Sequence, residues 1–168
     1  MLIDSLILPP TLGTASVTNP DKFVLELYFC GCSFRCKNCH NQELWDYKKE
    51  YEIDVYSAFE RLKQYITNPL IGEIQILGGE PLWNKNRILF LTELLKLIKN
   101  ENKNINIILF TGYNLKDLDL AAGCFRYVDY LKCGRYIENL PSKKLNPSFV
   151  LASSNQEIYK LPELRKII

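Results

Sequence analysis

The 168-residue sequence is poor in histidine and methionine. It has one histidine, His40, and one methionine, Met1. His40 ends a C-x-x-C-H pattern that begins at Cys36, and this pattern is typical of c-type haem attachment. A haem of that type takes its second axial ligand from a histidine or a methionine, and no other internal one remains. We therefore do not expect a haem protein.

The sequence also lacks long runs of basic and of apolar residues. The net charge is +2, and the pairs Lys48-Lys49 and Lys143-Lys144 do not extend into the basic runs of a nucleic-acid patch. The apolar stretch 1–8 has no basic segment before it, and Pro9-Pro10 follows it well before a membrane-spanning length is reached. We expect a cytoplasmic protein that has neither a nucleic-acid nor a membrane partner.

Three of the six cysteines are concentrated in one short segment. Cys32, Cys36 and Cys39 have C-x-x-x-C-x-x-C spacing directly after an apolar run. Thiolates suit zinc, copper(I) and iron-sulfur clusters. On a four-iron cluster, three cysteines would hold three irons and leave the fourth iron open, whereas a structural site normally takes four protein ligands. The segment therefore predicts a metal centre that binds a substrate or cosubstrate.

Other interpretations of the cysteines can be compared with this one. A structural zinc ion with Cys30 or His40 as its fourth ligand would make the chain a non-catalytic zinc-binding interaction module, although zinc sites usually combine two separate ligand pairs. A disulfide framework is disfavoured, because a chain of this length without a leader is expected to be cytosolic, where thiols stay reduced. Cys124 and Cys133 are too few for a second cluster, and we expect Cys133 to be an inert thiol.

Hydrophobic patterns predict one domain, residues 1–168, in which strands and helices alternate. Asp54 is expected to cap the first helix, and Asn114 a shorter one. Ser153 to Gln156 is expected to form a turn. The predicted strands are residues 2–8, 15–18, 22–29, 73–77, 105–110 and 127–132, and the predicted helices are residues 55–66, 87–99 and 114–122.

The alternation favours parallel strands joined by right-handed crossovers. Because a complete eightfold barrel needs about 250 residues, the predicted fold class is α/β, with a partial (open) TIM-like barrel of about four to six parallel strands. Polar motifs follow successive strands, and barrel enzymes place their sites at that end of the strands. We expect one pocket built from the cysteine loop, Gly78-Gly79-Glu80, Thr111-Gly112-Tyr113 and Cys133-Gly134-Arg135-Tyr136.

The cysteine spacing, followed by Gly78-Gly79-Glu80-Pro81, resembles the radical S-adenosylmethionine (radical SAM) superfamily. In that superfamily SAM chelates the open iron of a 4Fe-4S cluster, and one electron from the reduced cluster splits SAM into methionine and a 5'-deoxyadenosyl radical. The resemblance implies a radical SAM type of barrel and a cluster held by Cys32, Cys36 and Cys39. It also implies SAM contacts from Asn38, His40, Gly78, Gly79, Glu80 and Thr111.

Three later segments resemble one particular family within this superfamily. Thr111-Gly112-Tyr113, Gly134-Arg135-Tyr136 and Ser153-Ser154-Asn155-Gln156 look like segments of the activating proteins of anaerobic (class III) ribonucleoside-triphosphate reductase. Members of that family often carry Asp before the Gly-Arg/Lys-aromatic turn, where this chain has Cys133. The resemblance implies an oxidoreductase that takes a hydrogen from a glycine of the reductase, supplied with electrons by a donor such as flavodoxin. A radical SAM enzyme that acts on a small molecule or on another glycyl radical enzyme is the alternative.

Overall fold

The computed structural model describes residues 1–121 and 123–164, where strands and helices alternate. The strands are β1 (Ile3–Ser5), β2 (Thr11–Gly13), β3 (Phe23–Phe29), β4 (Glu52–Asp54), β5 (Ile71–Gly78), β6 (Asn106–Phe110), β7 (Tyr130–Cys133), β8 (Lys143–Lys144), β9 (Val150–Leu151) and β10 (Glu157–Lys160). The α-helices are α1 (Val55–Ile66), α2 (Lys85–Glu101) and α3 (Leu161–Leu164).

Six of the strands form the main sheet, in the order β10-β7-β6-β5-β3-β2. The four central strands, β3, β5, β6 and β7, are parallel neighbours. The two edge strands, β2 and β10, run antiparallel to the strands beside them. Parallel neighbours need a long crossover, which α1 supplies between β3 and β5 and α2 supplies between β5 and β6. The predicted α/β class is confirmed, and the sheet is mixed because of its edges.

Both long helices begin at a side-chain cap. Asp54 accepts hydrogen bonds from the backbone N–H groups of Tyr56 and Ser57, at 3.1 and 3.0 Å, as predicted for α1. Asn84 accepts from the N–H of Arg87 at 2.9 Å, so α2 begins two residues before its predicted start. The apolar stripes of these helices pack on one face of the sheet; their fully buried members include Ala58, Leu62, Ile66, Phe90, Leu91, Leu94, Leu95 and Ile98.

The strand predicted at residues 15–18 is wrong. The strand at this edge is β2, and the residues after it wrap around the buried carboxylate of Glu73 on β5. Ser16 Oγ and Thr18 Oγ1 donate to Glu73 Oε2 at 2.9 and 2.8 Å, and the Val17 N–H donates to it at 3.1 Å. A buried carboxylate must be hydrogen-bonded, and here that need replaces strand pairing.

The helix predicted from Asn114 through about Ala122 is also wrong in the part that the structure describes. Only a single 3-10 turn, Leu115–Asp117, forms there, and Ala122 lies outside the described residues. The Asn114 side chain donates to Asp117 Oδ2 at 3.1 Å and caps no backbone N–H, and Leu118 is already extended. The predicted strand 127–132 is displaced to β7, because a 3-10 turn occupies Gly123–Tyr127.

No helix within residues 1–121 and 123–164 combines the length and the apolar composition needed to cross a bilayer.

Candidate metal centre and cofactor cavity

An open cavity lies at the carboxyl ends of the four parallel strands. Cys32, Cys36 and Cys39 all line it. The rest of its wall comes largely from the loops that follow β5, β6 and β7. The structure therefore brings together the predicted residues Gly78, Gly79, Glu80 and Thr111 with the three cysteines. Arg135, from the segment also expected at this pocket, lines the same cavity, and Trp45 and Lys132 are additions that the sequence did not predict.

The cysteine loop turns once between each pair of successive cysteines. Arg35, between the first two, has φ 45°, and Asn38, between the last two, has φ 54°. Positive φ values are uncommon for residues other than glycine, so both turns are specific features of this loop. The base of the loop is held by backbone hydrogen bonds, because the Cys32 N–H donates to the Trp45 carbonyl at 2.8 Å. The loop is thereby curled so that its three thiols face one cavity.

Two of the three sulfur atoms accept a hydrogen bond from an N–H group. The Nε–H of Arg135 donates to Cys36 Sγ at 3.3 Å, and the Asn41 backbone N–H donates to Cys39 Sγ at 3.4 Å. Burial raises the pKa of the Cys32 thiol, while the backbone N–H groups of Phe34 and Arg35 lower it. Donors of this kind stabilise thiolates, and hydrogen bonds to sulfur are characteristic of iron-sulfur sites.

Trp45, a residue of the cavity wall, has a side-chain donor without a partner. Among the described residues, the indole Nε1 of Trp45 is the one buried side-chain nitrogen or oxygen that lacks a hydrogen-bond partner. An unsatisfied buried donor costs about 1–3 kcal/mol. Within residues 1–121 and 123–164, no three His, Cys, Asp or Glu side chains converge closely enough for a single metal ion. Three thiols around a cavity, two of them with N–H donors to their sulfur atoms, fit an iron-sulfur cluster.

Gly78 and Gly79 are required by packing against the end of β3. A Cβ atom on Gly79 would lie 2.2 Å from the Gly31 carbonyl oxygen, and one on Gly78 would lie 2.3 Å from the Phe29 carbonyl oxygen. Gly78 also has φ 115°, which only glycine adopts easily. The N–H groups of Gly79 and Glu80 donate to Phe29 and Gly31, both at 2.8 Å. Carbonyl oxygens are therefore what this turn could offer to an ammonium group.

Glu80 connects two of the loops. Its side chain is 1% exposed, and its carboxylate accepts hydrogen bonds from Leu82 N, Thr111 Oγ1 and Gly112 N at 2.8 to 2.9 Å. Burial raises the pKa of this carboxyl group, and the three donors oppose the rise. Donors of the protein itself take up most of the accepting capacity of the carboxylate. Glu80 thus holds the loop after β5 against the loop after β6.

Lys132, on β7, places a partly buried ammonium group in the cavity wall. Burial lowers its pKa from 10.5 to about 8, and the Glu80 carboxylate opposes the lowering. Its Nζ donates to the Gly134 carbonyl at 3.3 Å and lies over the Phe110 ring, 5.9 Å from the centroid. The cavity wall therefore contains a cation that loses its charge at a lower pH than an exposed lysine does.

Asn38 and His40 are placed beyond the wall of this cavity. The Asn38 side chain is exposed and donates to the carboxylate of Glu138. The His40 ring is 5.9 Å from that of Tyr136, and His40 lines a smaller neighbouring cavity together with Cys39. The structure does not bring either residue to the wall shared by the three cysteines.

The other three cysteines are buried. Cys30 is completely buried and is in contact with Ser5, and burial raises the pKa of its thiol. Burial also raises the pKa of Cys124 to about 11 and that of Cys133 to about 12. Thiols with such pKa values are unreactive near neutral pH.

Arg87, on α2, connects the start of the cysteine loop to the Glu80 turn. This residue is not among those predicted from the sequence. Its guanidinium is fully buried, and its five N–H donors make hydrogen bonds to Asp4 Oδ1 and Oδ2 (2.6 and 3.0 Å) and to the carbonyl oxygens of Cys30 (2.5 Å), Gly31 (3.4 Å) and Glu80 (3.2 Å). One feature of the sequence could have identified Arg87 as a buried residue: it lies four positions before Leu91 and therefore on the apolar face of α2. No local signal indicated the roles of Trp45 and Lys132.

Comparison with known proteins agrees with this site. The family model described as a 4Fe-4S single cluster domain matches residues 22–159. A relative from Enterobacteria phage T4 is 29% identical over 119 residues, covering 71% of this chain and 74% of that protein. Relatives from Haemophilus influenzae (29% over 142 residues) and Vibrio cholerae (27% over 145 residues) each cover 80% of this chain and 85% of their own length. All three are named anaerobic ribonucleoside-triphosphate reductase-activating protein. The chain therefore belongs to the 4Fe-4S single cluster domain family, alongside the activating proteins of anaerobic ribonucleoside-triphosphate reductase.

Proposed function

We propose that this chain is a glycyl-radical-enzyme activase, a radical SAM oxidoreductase that activates anaerobic ribonucleoside-triphosphate reductase. The observation that carries the proposal is the single cavity at the carboxyl ends of β3, β5, β6 and β7, which the three cysteines share with the Gly78-Gly79-Glu80 turn. The four parallel strands and their crossovers support a partial barrel of the radical SAM type, formed by one domain over residues 1–168.

The residues of the chain have distinct roles in this proposal. Cys32, Cys36 and Cys39 would hold three irons of a 4Fe-4S cluster. When bound, the cluster and SAM would supply the chemistry: one electron splits SAM, and the resulting 5'-deoxyadenosyl radical takes a hydrogen atom from a glycine of the reductase. The carbonyl oxygens of Gly78 and Gly79 would accept hydrogen bonds from the ammonium group of SAM.

Glu80 and Thr111 would shape this subsite mainly through their mutual hydrogen bond of 2.8 Å, which keeps two loops in register. The partly buried ammonium group of Lys132 would be available to an anionic group in the same cavity. The predicted SAM contacts of Asn38 and His40 stay predictions, because both side chains lie beyond the main cavity wall.

The partner is proposed from the names of the relatives, which describe activating proteins of anaerobic ribonucleoside-triphosphate reductase. The cavity is open at the rim of the sheet, and an open rim suits a glycine on a protein loop better than a closed pocket would. An electron donor such as flavodoxin would reduce the cluster.

The test is the formation of a glycyl radical on the reductase. The chain is reconstituted with iron and sulfide under anaerobic conditions and mixed with the reductase, SAM and dithionite, and the radical is measured by electron paramagnetic resonance (EPR). We expect a radical signal that requires SAM. The Cys36→Ala variant should give none, whereas Cys124→Ala, which removes a core thiol away from the cavity, should retain it. A fully loaded wild-type chain that gives no radical with a competent reductase contradicts the proposal.

A further inference from the structure

Arg135, in the turn after β7, contacts the cysteine loop across a sequence separation of 99 residues. Its Nε–H donates to Cys36 Sγ at 3.3 Å, and its Nη2 donates to the Phe34 carbonyl at 2.6 Å. Its guanidinium also lies over the Phe34 ring, 5.8 Å from the centroid. We propose that Arg135 is a positioning residue that orients Cys36 and raises the reduction potential of the cluster bound there. This inference rests on the proposed function.

The turn that carries Arg135 is itself held by the Ser153–Gln156 segment. Asn155 Nδ2 donates to the Arg135 carbonyl at 2.9 Å, and Gln156 Nε2 donates to the Gly134 carbonyl at 3.1 Å. Gly134 has φ 107°, and its N–H donates to the Tyr113 carbonyl at 2.9 Å. The polar segment near the end of the described chain thus fixes the backbone from which Arg135 reaches the cysteine loop.

The other two cations of the cysteine loop have different partners. Arg35 pairs with Asp46 at 2.6 Å and lies over the Trp45 ring. Lys37 pairs with Glu138 at 2.9 Å. Arg135 is distinguished from both by its donor aimed at a cysteine sulfur.

A donor on a ligand sulfur favours the reduced form of a cluster. Adding one electron makes the cluster and its thiolates more negative, so an N–H bond and a positive charge at Cys36 stabilise the reduced state more than the oxidised state. Hydrogen bonds to sulfur are one of the means by which proteins set cluster potentials. Removing Arg135 should therefore make the cluster harder to reduce without removing any of its ligands.

The experiment is a potentiometric titration of the reconstituted cluster with dithionite as the one-electron reductant, in the absence of SAM and reductase. The variants are R135Q, R135K and, as a matched control, K37Q, which removes a positive charge next to Cys36 without removing a donor to its sulfur. For R135Q we expect the reduction equilibrium to shift at least fivefold towards the oxidised form, about 40 mV at 59 mV per tenfold. R135K, which keeps the charge but not the forked donor, should fall between R135Q and wild type.

The outcomes separate this inference from the proposed function. A potential of R135Q equal to that of wild type, or an equally large shift in K37Q, overturns the role of Arg135 while leaving the activase proposal intact. If R135Q takes up less iron than wild type, the reduction potential of R135K is compared with that of wild type instead. An unchanged potential in R135K then overturns the inference. If the wild-type chain itself assembles no 4Fe-4S cluster, the proposed function fails first and this inference fails with it.

Discussion

Replacing Arg87 with methionine should destabilise the protein strongly. Arg87 and Asp4 form an ion pair with an N–O distance of 2.6 Å, and their side chains are 0% and 5% exposed. Methionine has a similar length and no charge, so the R87M variant leaves the Asp4 carboxylate buried without its partner. It also removes the donor to three backbone carbonyls, those of Cys30, Gly31 and Glu80.

The size of the effect follows from these contacts. Removing one partner of a buried ion pair costs about 3–5 kcal/mol. Loss of a donor to the three carbonyls adds about 1 kcal/mol or more, since each such bond contributes about 0.5–1.5 kcal/mol and water can replace some of them. We expect R87M to lower the free energy of unfolding by about 4–6 kcal/mol, a large part of the 5–15 kcal/mol typical of a domain.

The assay is urea unfolding of the metal-free protein, followed by circular dichroism. R61M, which removes an exposed arginine from α1, is the matched control and should change the unfolding free energy by no more than about 0.5 kcal/mol. D4N should be nearly as damaging as R87M, and the double variant should cost less than the sum of the two, because the partners act as a pair. A loss of less than about 1 kcal/mol in R87M would refute the reasoning.

Three further predictions concern the cavity. Cys36→Ala should lose the iron and sulfide measured after reconstitution but stay folded, as judged by circular dichroism of the same reconstituted sample; unfolding of this variant would instead indicate a structural metal. Gly79→Ala should cost about 1–3 kcal/mol or more in urea unfolding, because its Cβ would lie 2.2 Å from the Gly31 carbonyl oxygen; a neutral substitution would contradict that contact. For Lys132, the unfolded chain binds more protons than the folded one between the folded pKa of about 8 and the ordinary 10.5. Wild type should therefore gain up to about 3 kcal/mol of stability relative to K132M as pH rises through that window, in urea unfolding of the metal-free protein, and a constant difference would count against burial of the ammonium group.

The parts of the fold that follow local patterns could be predicted from the sequence. The alternation of apolar residues at helical spacing identified α1 and α2, and the apolar run at 22–29 identified β3. The motifs after these strands could also be assigned to one edge, because parallel strands place their carboxyl ends together. The spacing of apolar residues predicts these helices and strands because it depends only on residues that are close together in the sequence.

The parts that depend on distant partners could not be predicted in the same way. The strand expected at 15–18 is replaced by bonds to Glu73, more than 50 residues further along. Arg87 meets Asp4 across 83 residues, and Arg135 meets Cys36 across 99. No local pattern encodes such pairs, because each partner on its own is an ordinary polar residue of a loop or helix. For the same reason, the composition of the cysteine motif gave no indication of the N–H donors around its sulfurs.

The most direct test of the central claim, a three-cysteine cluster with one open iron, is the EPR spectrum of the reduced, reconstituted protein with and without SAM. A ligand that binds an iron alters the spectrum of the cluster, so we expect the signal of the fully loaded wild-type chain to change when SAM is added. An identical spectrum in the presence of excess SAM, from a chain that contains four irons and four sulfides, would contradict the claim.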